Sequence, residues 1–331
     1  MAGSRQHSMV LSLPSPDQRA KPVCSVNSFA KLNCMVFVKM VSKCTSVHQI
    51  LSMLCMCGYV TIIQTAKIVV PGAVVQGMGH VQVLSTLIAE LTRHGHHVTL
   101  LSGSDKCSNK FASSNATQII RYRSPNVTTN SEVEKELASV KFHDYSTVQQ
   151  LDVFLGIYRG LAADCRAILD DGEFLQRLRM ENFVLLIGDV ISPCDIFIAH
   201  ILGIPWIAAT ANRQYLCVST WVYRIPAELS YVPQLGLHQY TDRMTFWQRL
   251  TNALHYVMMT NKILPYLMHD FIDIKREYGI APGMDIWELS SKAEIWLSQT
   301  HWVLDYPAPG LPNLVPVGGL GVRPPDALPK V

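Results

Sequence analysis

Two segments of this chain alternate short β-branched runs with helical periodicity, and that alternation narrows the fold more than any other feature. In the first, Lys67-Ile68-Val69-Val70-Pro71 has a buried-strand pattern ended by proline, and a glycine-rich stretch from Gly72 to Gly79 follows. Val83, Leu84, Leu87, Ile88 and Leu91 then recur at helical spacing, with Glu90 and Arg93 on another face and Gly95 as a stop. Val98-Thr99-Leu100-Leu101 supplies the next strand. In the second segment, Phe183 to Asp189 is a buried strand ending on an acidic residue. Pro193, an apolar helix from Ile196 to Leu202, a Gly203 cap and a strand starting at Ile204-Pro205-Trp206-Ile207-Ala208 follow it. These units predict an α/β fold, an open and mostly parallel Rossmann-like sheet with helices on both faces.

The rest of the chain organises around those units. Residues from about 104 to 180 read as a polar loop followed by helices anchored by Val153-Phe154-Leu155 and Ile168-Leu169. Met244 to Tyr278 reads as one long helical stretch carrying Phe246, Trp247, Leu250, Leu254, Val257 and Met258. From Pro307 the chain is rich in proline and has little periodicity, which predicts a linker. The expected divisions are 1–66 as an N-terminal extension with a signal-like segment, 67–306 as the folded domain and 307–331 as the linker.

Composition excludes some classes. A chain that is 49% hydrophobic and 16% charged buries a large core, and a net charge of +3 with scattered Lys and Arg argues against a nucleic-acid partner. Nine cysteines in 331 residues do not make a disulfide scaffold. Cys55 and Cys57 read as small apolar residues within the uncharged run Ile50–Ile63 rather than as a zinc pair, and no metal site is expected. With Lys43 before it and Ala66 after it, that run has the layout of a signal peptide beginning near Met35 or Met40, and it is too short for a membrane span. The sequons at Asn115 and Asn126 agree with entry into the endoplasmic reticulum as N-glycosylation sites.

Ligands of open α/β sheets bind beyond the carboxyl ends of the strands, and His80 and Asp189 both fall there. A histidine at a helix N-terminus is favoured as the neutral imidazole, a form that accepts a proton near neutral pH. An aspartate on its other ring nitrogen would fix the tautomer, so the pair could deprotonate a hydroxyl. From spacing alone, capping of their respective helices by His80 and Asp189 is the simpler account. His94, His96 and His97 flank Gly95 at a helix end and read as structural.

Several blocks carry a resemblance. Ile204-Pro205-Trp206, Tyr231-Val232-Pro233, Thr241 to Phe246, Ala293 to Leu297 and Val317-Gly318-Gly319-Leu320 resemble the central stretch of animal UDP-glucuronosyltransferases and their glucosyl and galactosyl relatives. Arg93 to Thr99 is similar to that family's ending of the first helix. The resemblance covers roughly 67 to 331 and implies the N-terminal, acceptor-binding domain of a GT-B glycosyltransferase. It places the family's catalytic His on His80 as general base and its Asp partner on Asp189. Gly79 and Val81 flank His80 where the family usually has Ser and often Trp.

The resemblance implies an inverting, metal-independent transfer from a UDP-sugar, UDP-glucuronate or UDP-glucose, to a small lipophilic acceptor, with no cofactor in this chain. Tyr215, Trp221 and Tyr223 are the candidate acceptor-binding residues. It also implies a UDP-sugar domain and a membrane anchor beyond this stretch, residence in the endoplasmic reticulum lumen, and homo- or hetero-oligomers with family members as a partner class. On that reading the 331 residues alone lack transferase activity. The rival readings are a binding module without turnover and a dinucleotide-dependent oxidoreductase, the latter weakened by the lack of G-x-G-x-x-G between Gly72 and Gly79.

Overall fold

A computed structural model describes residues 65–72, 78–103, 111, 114–125, 147–210, 222, 224–234, 240–300, 306 and 309–320. Seven strands form one sheet in the order β3-β2-β1-β4-β5-β6-β7. They are β1 (Lys67–Pro71), β2 (His97–Ser102), β3 (Gln118–Arg121), β4 (Leu185–Asp189), β5 (Trp206–Thr210), β6 (Ile295–Ser298) and β7 (Leu314–Pro316). Every pairing is parallel. The helices are α1 (Met78–Arg93), α2 (Thr147–Asp170), α3 (Gly172–Met180), α4 (Pro193–Leu202), α5 (Phe246–Met258), α6 (Leu264–Leu267), α7 (His269–Glu277) and α8 (Ile286–Ser290).

Both faces of the sheet are covered, which explains its near-continuous apolar strands. Side chains alternate along a strand. On β1, Ile68 and Val70 join Val83, Leu84 and Ile88 of α1, whereas Val69 joins the cluster supplied by α2, α3, α4 and α7. Cys165, Phe197, Phe271 and Ile274 lie deep in that second cluster, and Trp206 meets Trp296 edge-on at 5.7 Å. Burying an aliphatic side chain such as Val69 stabilises by about 1.5–3 kcal/mol, so the larger cluster on the α2 face contributes most of the packing.

Three predicted stretches come out differently. The polar region after residue 104 contributes β3, a strand too short and too polar to show periodicity. The helical stretch from Met244 is not one regular α-helix: it starts at Phe246, passes through a π-helical turn at Met259–Ile263 between α5 and α6, and breaks at Met268 before α7. Pro265 stands just beyond the π-helical turn at the start of α6, where its missing N–H breaks the regular ladder. The proline-rich stretch from residue 307 supplies edge strand β7, whose Pro316 stands where a ladder N–H is not needed. The segment 1–63, with the signal-like run and the Cys55 and Cys57 pair, lies outside the described residues.

Candidate active site

The sheet order fixes where a site can form. From β1 the chain moves outward to β2 and β3, then crosses back to β4 on the other side of β1 and continues to β5, β6 and β7. The reversal therefore lies between β1 and β4, which pair through Ile68–Leu185 and Val69–Leu186. A crevice opens beyond the carboxyl ends of two such strands. β1 leads to α1, whose first turn carries His80, and β4 ends on Asp189.

Those two side chains meet. His80 Nδ1 lies 2.6 Å from Asp189 Oδ2, with 15% of the histidine side chain and 2% of the aspartate side chain exposed. Neither caps its own helix. Asp189 Oδ1 accepts the Ile191 N–H at 2.9 Å, and the cap position of α4 belongs to Ser192. Both carboxylate oxygens are thus committed, which holds the group in one orientation. With Nδ1 held by Asp189, Nε2 is the ring nitrogen left for proton transfer.

The electrostatics of the pair correct one expectation. Burial lowers the His80 pKa, the direction anticipated from a helix N-terminus, but the charge and hydrogen bond of Asp189 together outweigh it. The net result is a His80 pKa above its ordinary value. Asp189 therefore favours the imidazolium, the form His80 takes after accepting a proton.

A second carboxyl supports the first. Asp195, in the opening turn of α4, is completely buried, and its Oδ2 accepts the backbone N–H of Asp189 at 2.9 Å. It packs directly on Gly188: a Cβ at that glycine would stand 2.6 Å from Asp195 Oδ2 and 2.7 Å from its Cβ. Burial raises the Asp195 pKa well above the ordinary value, against the opposing pull of the Asp189 amide. Ser192 also favours the charged form, although its Oγ lacks the alignment of a full hydrogen bond.

Cys194 is the neighbour of Asp195, and it forms a disulfide with Cys165 of α2. The bridge ties the first turn of α4, and with it the loop holding Asp189, to the long helix beneath the sheet. Sequence reading singled out neither Asp195 nor this pairing. The Gly188-Asp189 strand end followed by Pro193-Cys194-Asp195 was visible, but connectivity among nine cysteines is not deducible from spacing.

A small, mostly apolar core cavity of about 30 Å³, room for about one water, is lined by Val190, Ile191 and Pro193 of the Asp189 loop together with Val222, Leu264 and Met268, and neither His80 nor Asp189 lines it. A larger cavity of about 370 Å³ lies between α7, the 279–285 loop and the start of α8, and neither His80 nor Asp189 lines it. Asn115 is exposed in the loop before β3. Tyr215, Trp221, Tyr223 and Asn126 lie outside the described residues. Among the described residues, no cluster of His, Cys, Asp and Glu could hold a metal ion.

The family model for UDP-glucoronosyl and UDP-glucosyl transferase matches residues 68–331, from β1 through both dyad residues to Val331. The chain belongs to this family. UDP-glucuronosyltransferase 2A3 of Cavia porcellus is 29% identical over 267 residues, covering 76% of this chain and 49% of the relative. The 2-hydroxyacylsphingosine 1-beta-galactosyltransferase of Mus musculus is 27% identical over 253 residues, covering 76% and 44% respectively. A solved complex of a UDP-glucosyltransferase from Polygonum tinctorium, capable of glucosylating indoxyl, with 3,4-dichloroaniline is 14% identical. It has a TM-score of 0.44 and covers 80% of this chain and 55% of that one. This member of the UDP-glucuronosyl and UDP-glucosyl transferase family spans about half the length of the curated relatives it matches.

Proposed function

We propose that this chain is the acceptor-side, N-terminal half of a GT-B UDP-glycosyltransferase, with His80 as general base and Asp189 as the group that orients it. The observation that carries the reading is the 2.6 Å contact between His80 Nδ1 and Asp189 Oδ2 at the reversal point of a parallel sheet. In the proposed reaction His80 Nε2 takes the proton of an acceptor hydroxyl. The acceptor oxygen forms a bond to the anomeric carbon from the face opposite UDP, and the bond to the phosphate oxygen breaks with its electron pair leaving on UDP. The anomeric centre inverts, and Asp189 stabilises the imidazolium formed on His80. General-base assistance of this kind contributes about 10²–10⁴ in rate.

The acceptor in this proposal is a lipophilic alcohol or phenol, the class that membership of the family suggests. Tyr215, Trp221 and Tyr223 are the acceptor-binding candidates of the proposal. The UDP-sugar, UDP-glucuronate or UDP-glucose, is held by the other half of the complete polypeptide. Residence in the endoplasmic reticulum lumen agrees with the buried Cys165–Cys194 disulfide, a bond rare in reducing compartments, and with the exposed Asn115 sequon.

The test is a complete polypeptide in which residues 64–331 precede the remaining half of the Cavia porcellus relative, assayed with UDP-glucuronate or UDP-glucose and a phenol. His80→Ala is expected to lower kcat/KM by at least about 10²-fold with the phenol still bound. Full transfer by the His80→Ala protein would remove His80 from the mechanism. Phenol binding without transfer by the unsubstituted protein would favour the binding-module reading.

A further inference from the structure

Helix α5 is attached to the domain the wrong way round for a helix that packs a core. Its buried residue is Asn252, whose Nδ2 donates to Leu229 O and Val232 O at 2.9 Å each and whose Oδ1 accepts the Gln234 N–H at 2.8 Å. At about 100° per residue, Phe246, Trp247, Leu250, Leu254, Val257 and Met258 fall within a sector of about 120° nearly opposite Asn252. That sector faces outward, with Phe246 70%, Trp247 71%, Leu254 62% and Val257 53% exposed. Phe246 and Trp247 pair edge-on at 5.2 Å at the amino end, where a Thr245–Gln248 capping box fixes the start of the helix.

The charges on the helix and its immediate flanks are mostly cationic: no Asp or Glu occurs from Arg243 to His269, Arg243, Arg249 and Lys262 are all exposed, and the carboxylates nearest in sequence are Asp242 and Asp270 at the two ends. An apolar stripe with Trp and Phe, bordered by cations, is the pattern of a helix that lies in a lipid interface with its apolar side about 5–10 Å into the headgroup boundary. A second copy fits poorly: a two-fold contact would set the same cations of both copies against each other with only Asp242 and Asp270 at the ends to offset them. We propose that α5 is a docking face for the surface of an anionic lipid bilayer. This attachment is independent of the glycosyl transfer proposed above and places the domain against the membrane through a preformed element.

The experiment is co-flotation of the 331-residue chain with vesicles of phosphatidylserine and phosphatidylcholine in equal parts, against phosphatidylcholine alone. Stronger binding to the anionic vesicles is expected, weakening as salt rises. Phe246→Gln/Trp247→Gln/Leu254→Gln should lower partitioning at least about tenfold at an unchanged Tm, because these side chains are exposed. Arg243→Gln/Lys262→Gln should lower binding to anionic vesicles by about tenfold or more and leave binding to phosphatidylcholine unchanged. Flotation of the triple variant equal to that of the original chain, as binding through Ile50–Ile63 would give, overturns the proposal. So does a fall in the triple variant's Tm, which would mean that another part of the chain covers the face. Lipid-free self-association that the triple variant abolishes, with no preference for anionic vesicles, overturns it in favour of a second copy.

Discussion

The carboxyl of Asp195 holds the backbone of Asp189 from below: its Oδ2 accepts the Asp189 N–H at 2.9 Å while its Cβ and Cγ lie against Gly188. The residue proposed to orient His80 is therefore itself held by a second, fully buried acid. Burial favours the protonated form of Asp195, so the device does not require a second negative charge beside the dyad.

Replacement of Asp195 separates shape from charge. Asp195→Asn keeps an acceptor for the Asp189 amide and is expected to fold normally, whereas Asp195→Leu leaves that buried amide unpaired at a cost of about 1–3 kcal/mol. The pH dependence has a defined sign. Because the folded state holds the Asp195 proton more tightly than the unfolded chain does, its contribution is fully present below the ordinary aspartate pKa and is lost as pH rises. Urea midpoints measured from pH 4 upward should show Asp195→Asn gaining on the original protein as pH increases. A difference independent of pH would show that Asp195 is ionised in the folded protein.

Gly188 is required by contact rather than by a left-handed backbone. Gly188→Ala drives a methyl into the Asp195 side chain and should cost about 1–3 kcal/mol by overpacking. Because the Asp195 Cβ alone lies 2.7 Å from the added carbon, Asp195→Ala cannot relieve the clash and Asp195→Gly can. A double-mutant cycle of Gly188→Ala with Asp195→Gly should therefore give a large favourable coupling in chemical denaturation. Additivity would mean the strand end yields elsewhere.

What was legible in the sequence follows from physics that acts locally. β1, β2, β4 and β5 announce themselves because strands buried on both faces must be apolar at every position, and the strand ends then place His80 and Asp189 without reference to distant residues. The family resemblance is what paired them; spacing alone did not show contact between them, since residues 109 positions apart meet only once the β1–β4 pairing is made. Asp195 and the Cys165–Cys194 pair were hidden for the same reason. β7 escaped because edge pairing needs few ladder hydrogen bonds and tolerates Pro316, while the π-helical turn after α5 leaves no trace in apolar periodicity, only Pro265 just beyond it.

The dyad predicts its own titration. Asp189 supplies both influences that raise the His80 pKa, and burial alone opposes them. Asp189→Asn should bring the His80 pKa below its ordinary value of 6.5, read by the pH dependence of the His80 ring resonances in NMR. The unsubstituted protein should lose stability as pH rises through the raised His80 pKa, because the proton bound more tightly in the folded state is then released. The Asp189→Asn variant should lack that loss. In the complete enzyme, kcat/KM should rise with pH across the same titration, since a general base acts deprotonated.

The Cys165–Cys194 bridge makes the site sensitive to reduction. It closes a loop with its ends 29 residues apart, and a constraint of that size stabilises a fold by about 2–4 kcal/mol. Both sulfurs are buried, so mild reductant acts slowly and the clean comparison is Cys165→Ala/Cys194→Ala against the original chain. The double variant should show a lower Tm, insensitive to dithiothreitol, and faster amide exchange at Ile191 and Ser192. Those amides donate to Asp189, Ile191 to the side chain and Ser192 to the carbonyl, so their protection reports directly on the loop that presents the dyad. A lower Tm with unchanged exchange at both amides would confine the disulfide to a structural role remote from the site. Loosening of both would place it, with Asp195, among the supports that hold Asp189 against His80.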